Sequence, residues 1–157
     1  MYYHFYHSPL GKIRITASDN GITSLMLPVQ QKVVPLCEEA IDIDEPFTLI
    51  VSQLDEYFAG KRDSFNVRLD VKGTPFQRRV WDALCDIPYG NTRTYGELAT
   101  MIGKPTGSRA VGAANGQNPV AIIVPCHRVI GADGSLTGYA GGLDAKKALL
   151  ALEREFC

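Results

Sequence analysis

The segment Pro119-Val120-Ala121-Ile122-Ile123-Val124-Pro125-Cys126-His127-Arg128-Val129-Ile130 sets a thiol, an imidazole and a guanidinium side by side behind an apolar run bracketed by prolines. A free thiol with a pKa of about 8.5 is only a few per cent thiolate at neutral pH, and a neighbouring imidazole or cation raises that fraction. Cys126 therefore reads as a candidate nucleophile, with an inert core thiol as the plainer alternative. The other cysteines lack activating neighbours: Cys37 precedes Glu38 and Glu39, Cys85 precedes Asp86, and Cys157 is the final residue. No C-x-x-C pair occurs and the first residues do not read as an export signal, so reduced thiols in a cytoplasmic protein are expected.

A second constellation is Tyr95-Gly96-Glu97-Leu98-Ala99-Thr100-Met101-Ile102-Gly103 followed by Ser108-Arg109-Ala110-Val111-Gly112. Two short amphipathic segments joined by a glycine-containing turn match a helix-turn-helix, or an ordinary helical hairpin in a core. The second segment is rich in Ala and Gly, so it could approach a duplex closely. It carries few side chains able to read bases, namely Arg109, Asn115 and Gln117, a composition suited to sequence-independent contact. Thr137-Gly138-Tyr139-Ala140-Gly141-Gly142 lacks the order of a phosphate-binding P-loop and reads as a pocket rim or a plain connection. His4 and His7 have no partnering Cys or carboxylate cluster, so no metal site is expected.

These segments need elements to hold them. Ile13, Ile15 and Ala17 alternate with polar residues, and Ile22, Leu25 and Leu27 follow the turn signal Asp19-Asn20-Gly21, which predicts a β-hairpin. Phe47, Ile50, Val51, Leu54 and Phe58 recur at helical spacing up to Gly60. Phe65, Val67, Leu69 and Val71 alternate as a further strand. Beyond residue 73 the patterning turns helical: Thr74 caps a helix carrying Phe76, Val80, Trp81 and Leu84, and Leu143–Phe156 forms the last helix with Leu149, Leu150 and Leu152 inward. The expected architecture is α/β (α+β), with an N-terminal α/β domain over 1–72 and a mostly helical domain over 73–157.

Length and composition fit this picture. At 157 residues, 45% hydrophobic and 21% charged, the chain can bury a core without metal or disulfide staples. Its apolar runs are too short for a transmembrane helix, so no membrane association is expected. The formal net charge of −1 conceals an asymmetry: residues 1–72 hold 7 basic and 10 acidic side chains, residues 73–157 hold 9 and 7. An anionic partner should meet the second half.

Together the motifs identify a resemblance to the O6-alkylguanine-DNA alkyltransferase family, the methylated-DNA protein-cysteine methyltransferases, over nearly the whole chain. It rests on Gly73-Thr74-Pro75-Phe76-Gln77, Val80-Trp81, Ile87-Pro88-Tyr89-Gly90, Tyr95-Gly96 and Arg109-Ala110-Val111-Gly112. It continues through Asn118-Pro119, Pro125-Cys126-His127-Arg128-Val129, Gly138-Tyr139-Ala140-Gly141-Gly142, and Lys147 with Leu149-Leu150 and Glu153.

The resemblance implies a ribonuclease H-like N-terminal layer and a repair protein that flips a damaged base out of double-stranded DNA. Cys126 would accept the alkyl group from O6 of alkylguanine, or from O4 of alkylthymine, once and irreversibly, acting as a monomer without a cofactor. His127 would be the base acting through a water, Glu153 its orienting carboxylate and Asn118 the brace of the turn. Tyr95 would protonate the departing guanine. Arg109 would fill the gap in the duplex, with Tyr95, Ala110, Gly112, Asn115 and Arg128 also at the DNA. Tyr139, Ala140, Gly141 and Val129 would line the substrate pocket, where Ala140 lacks the hydroxyl some members carry. Two rivals from other classes are a non-catalytic helix-turn-helix module that binds alkylated DNA, and a cysteine hydrolase. The latter is disfavoured because such enzymes normally bring Cys and His from distant positions.

Overall fold

The computed structural model describes residues 1–157. Strands β1 (Tyr2–Ser8), β2 (Gly11–Ser18) and β3 (Gly21–Met26) form an antiparallel meander, and the short β4 (Ile41–Asp42) pairs parallel to β1, giving the order β3-β2-β1-β4. The β2–β3 hairpin turns at Asp19-Asn20 with Ser18 opposite Gly21, as the turn signal predicts. Being central, β2 is covered on both faces. Arg14 and Thr16 are buried along with Ile13, Ile15 and Ala17, and the Arg14 guanidinium is held by the Val34 carbonyl at 2.7 Å.

A short helix α1 (Pro28–Gln31) follows β3, and α2 (Thr48–Phe58) buries Ile50, Gln53, Leu54 and Tyr57. The alternating segment 65–71 does not form a strand. It is extended, but its backbone is satisfied elsewhere: Ile22 N–H donates to Arg68 O, Asp70 N–H donates to Ile22 O, and the Gln53 carboxamide bonds both the N–H and the carbonyl of Asn66. One bridge, Ile22 to Leu69, is all the ladder that remains.

Helix α3 (Pro75–Cys85) begins at a capping box in which Thr74 accepts from the Gln77 N–H while the Gln77 side chain accepts from the Thr74 N–H. Helices α4 (Tyr95–Met101) and α5 (Ser108–Gly116) make the helix-turn-helix, α4 opening on a second capping box between Thr94 and Glu97. Trp81 Nε1 donates to Ala114 O at 2.9 Å and fixes α5 against α3. Strands β5 (Arg93–Thr94) and β6 (Val129–Ile130) pair in parallel, and α6 (Leu143–Phe156) closes the fold. Leu149 and Leu150 of α6 are buried and Leu152 is half-buried.

One apolar cluster of 28 residues runs from Tyr6 to Leu149, so the sheet and the helices share a core. Backbone ties reinforce this sharing. Leu25 N–H donates to Pro119 O at 2.9 Å, and Ala121 N–H donates to Leu25 O at 3.3 Å, which docks the apolar run before Cys126 onto the sheet edge.

Candidate active site

Residues 118–128 fold as consecutive turns ending in a single 3₁₀ turn, Cys126–Arg128. Asn118 braces them from inside: Nδ2 donates to Val124 O at 2.8 Å and Oδ1 accepts from Val120 N–H at 3.1 Å. Ile122 sits in the left-handed region at φ 72, a conformation that disfavours a β-branched residue and that the surrounding turn bonds enforce.

The turn is tight enough to send Cys126, His127 and Arg128 into the interior, where they are 6%, 0% and 6% exposed. Opposite them stands Glu153 of α6. His127 Nε2 meets Glu153 Oε2 at 2.6 Å, Arg128 Nε donates to Oε1 at 2.7 Å, Arg128 Nη2 to Oε2 at 3.0 Å, and the Tyr57 hydroxyl to Oε2 at 2.6 Å. Arg128 also donates to Ile87 O at 2.8 Å and lies over the Tyr89 ring.

Burial would raise the Glu153 pKa, but the hydrogen bonds and charges of His127 and Arg128 outweigh it and hold the carboxyl down at about 2. Burial lowers the His127 pKa and Glu153 opposes that. With Arg128 neutralising the carboxylate, His127 is neutral at physiological pH, its Nε2–H donating to Glu153. That leaves Nδ1 as a buried acceptor with no protein partner. Burial raises the Cys126 pKa, while Asn118, Tyr139 and the Lys146 ammonium act in the opposite direction.

A small cavity next to Cys126 is lined by Gln30, Asn115, Asn118, Ala121, Tyr139 and Ala140, among others. Lys146 supports its rim. Its ammonium is buried and donates to Val129 O at 2.5 Å and to Thr137 O at 2.9 Å. The loop also rests on the sheet domain: a Cβ at Gly141 would collide with the Leu27 side chain and the Tyr139 ring.

Several predicted residues converge here: Cys126, His127, Glu153, Asn118, Tyr139 and Ala140. Tyr95 is half-buried at the rim, its hydroxyl 3.4 Å from Thr137 O and its ring against Gly112. Arg109 and Ala110 are exposed on α5 and Gly112 is half-buried there.

Two assignments are corrected. Arg128 does not reach DNA, because its guanidinium is internal and committed to Glu153 and Ile87 O. Asn115 is 3% exposed and faces inward, with Nδ2 3.5 Å from Cys126 O. Val129 lies in β6 with its carbonyl accepting from Lys146, and Gly141 packs against Leu27 and the Tyr139 ring.

Sequence reasoning missed Tyr57 and Lys146. For Lys146 a signal existed. Positions 146, 149, 150 and 153 fall on one helical stripe, so a lysine and a glutamate occupy the inner face together with two leucines.

A buried thiol next in sequence to a buried His127–Glu153 pair, beside a helix-turn-helix, is the arrangement expected of a class of thiol proteins that meet a duplex. Two family models divide the chain. The 6-O-methylguanine DNA methyltransferase ribonuclease-like domain matches residues 1–71, and the DNA binding domain of the same family matches 75–155. A methylated-DNA--protein-cysteine methyltransferase of Methanosarcina acetivorans is 51% identical over 153 residues, 98% of each chain. One from Mycolicibacterium paratuberculosis is 53% identical over 147 residues, 94% of this chain and 88% of the relative. The crystal structure of Mycobacterium tuberculosis OGT in complex with DNA superposes with a TM-score of 0.93 at 48% identity, covering 100% of this chain and 95% of that one. The chain belongs to the 6-O-methylguanine DNA methyltransferase family.

Proposed function

We propose that this chain repairs alkylated double-stranded DNA by direct reversal, moving the alkyl group from O6 of guanine to Cys126 in one irreversible turnover, with O4-alkylthymine as a second substrate. The observation that carries this reading is the buried thiol whose sequence neighbour, His127, is locked by Glu153 into the tautomer that leaves Nδ1 free to accept a proton. The relatives' name supplies the reaction class, and the M. tuberculosis relative crystallised with DNA supports DNA as the partner.

In this reading α5 enters the groove and Arg109, exposed near its start, occupies the space of the extruded base. The base enters the cavity beside Tyr139 and Ala140. The Cys126 proton passes through a water to His127 Nδ1, and the thiolate sulfur attacks the alkyl carbon. The S–C bond forms as the C–O6 bond breaks, its electron pair moves onto the guanine, and Tyr95 protonates the departing base. The product is a thioether that a Cys–His–Glu site cannot hydrolyse, so each molecule acts once. The protein works as a monomer in the cytoplasm, where its four free cysteines remain reduced. No helix is long and apolar enough to cross a membrane.

The test is intact-protein mass spectrometry with peptide mapping after incubation with a duplex containing one O6-methylguanine. The expected outcome is one methyl group on Cys126, stoichiometric with protein and absent in Cys126→Ala. Repeated turnover, or retention of the duplex without modification, would overturn the reading.

A further inference from the structure

The donors that reach Glu153 are unevenly divided between its two oxygens. Oε1 accepts only from Arg128 Nε at 2.7 Å, whereas Oε2 accepts from His127 Nε2 and the Tyr57 hydroxyl at 2.6 Å each and from Arg128 Nη2 at 3.0 Å. A carboxylate oxygen offers two lone pairs, so three donors on Oε2 compete, and charge drawn by one is lost to the others. Tyr57 is the member of this set that comes from the N-terminal domain. It stands on α2, is 1% exposed, and its ring packs against Phe65 and Tyr89 with centroids 5.4 and 6.4 Å away. Burial first, and then the Glu153 charge, push its pKa far upward, so at physiological pH the phenol stays protonated and donates.

The groups facing the His127 imidazole are Glu153 and Lys146 from α6, its chain neighbours Cys126 and Arg128, and, through Glu153, Tyr57 from α2. Tyr89 and Tyr139 lie beside the same carboxylate. Burial, Arg128 and Lys146 oppose protonation of His127, and Glu153 favours it. We propose that Tyr57 is a positioning residue: its hydroxyl draws charge from the Glu153 oxygen that holds His127, and so keeps the imidazole neutral with Nδ1 open to the Cys126 proton. The inference rests on the alkyl-transfer reading above. Without the hydroxyl, Oε2 holds the Nε2–H more tightly and stabilises an imidazolium, so Nδ1 carries a proton over a wider range of pH. A side chain of the sheet domain thereby sets the pH range over which a thiol of the helical domain can be activated.

The experiment has two readouts on the full chain, compared between native protein and Tyr57→Phe. The first is the imidazole titration of His127 by NMR on histidine-labelled protein. The chain has only three histidines, and His4 and His7, on β1, serve as internal controls that should not move. The second is the pH profile of the single-turnover rate constant on a duplex carrying O6-methylguanine. In Tyr57→Phe the His127 midpoint should rise by about one pH unit, a roughly tenfold gain in proton affinity, and the acid limb of the rate profile should move up with it. Placing 3-fluorotyrosine at position 57 keeps the ring and strengthens the donor, and should move both midpoints down. A residue that merely packs α2 against α6 would lower stability and slow transfer equally at every pH. Unmoved midpoints, shifts of the same sign in the two variants, or a His127 midpoint that moves without the acid limb would therefore overturn the proposal. If Tyr57→Phe fails to fold, the 3-fluorotyrosine protein supports the same comparison. Absence of transfer to native protein at any pH, with the His127 midpoint still obeying Tyr57, would instead be a failure of the alkyl-transfer reading.

Discussion

The two sides of the Cys126–Arg128 turn are furnished with similar polar groups and treat them in opposite ways. Toward α6, Glu153 is saturated, receiving His127, two nitrogens of Arg128 and the Tyr57 hydroxyl at 2.6–3.0 Å. Toward α5 and the glycine-rich loop, the Asn115 oxygen and the Tyr139 hydroxyl are buried without a well-formed hydrogen bond. A saturated cluster fixes geometry, and an unsaturated one keeps capacity for something that arrives later. In the proposed mechanism the turn separates the wall that would orient His127 from the cavity that would receive the substrate.

Breaking the saturated side should have the largest effect. Glu153→Ala leaves Arg128 and the Tyr57 hydroxyl buried without their acceptor, and we expect a loss of about 3–5 kcal/mol in chemical denaturation, with alkyl transfer abolished. Acidification attacks the same cluster reversibly. The Glu153 and His127 pKa values are both lowered by folding, so the native state binds fewer protons than the unfolded chain. Their stabilisation is complete above about pH 6.5. It is eroded first through His127 as pH falls below that value, then through Glu153 between about 4.5 and 2. A melting temperature that stays flat from pH 7 to 3 would contradict this.

Tyr57→Phe removes one donor and leaves the rest of the cluster, and should reduce stability by about 2 kcal/mol while slowing transfer only modestly. Tyr139→Phe, on the unsaturated side, should leave stability within about 0.5 kcal/mol of native, because its hydroxyl makes only a poorly formed contact with the Cys126 thiol. A large loss there would erase the distinction between the two sides.

This asymmetry also marks how far the sequence could be read. Hairpin, helices, the Thr74 cap and the helix-turn-helix follow from local signals: Asp19-Asn20-Gly21, Thr74 before Pro75, and the spacing of apolar residues. The extended segment 65–71 was misread because its alternation reports a half-buried surface, and an alternating pattern does not reveal whether the neighbouring partner is a strand or the side chain of Gln53. Cys126, His127 and Glu153 were legible through the family motif. The inward turn of Arg128 and Asn115 was not, since Arg and Asn near a helix-turn-helix suit DNA equally well until the position of Glu153 and the orientation of α5 are known. Glu153 lies on α6 and its partners come from α2 and the 3₁₀ turn, and no local pattern joins these elements.

The Tyr57–Glu153 bond closes a loop of 96 residues, and Leu25 meets the segment before Cys126 across a comparable stretch of chain. Closures this long form after local hairpins and helices, because their entropy must be offset by contacts already in place. A chain whose last helix has not docked holds Cys126 with no oriented imidazole beside it. In the proposed mechanism, competence to accept an alkyl group would therefore come late in folding, as a property of the finished molecule.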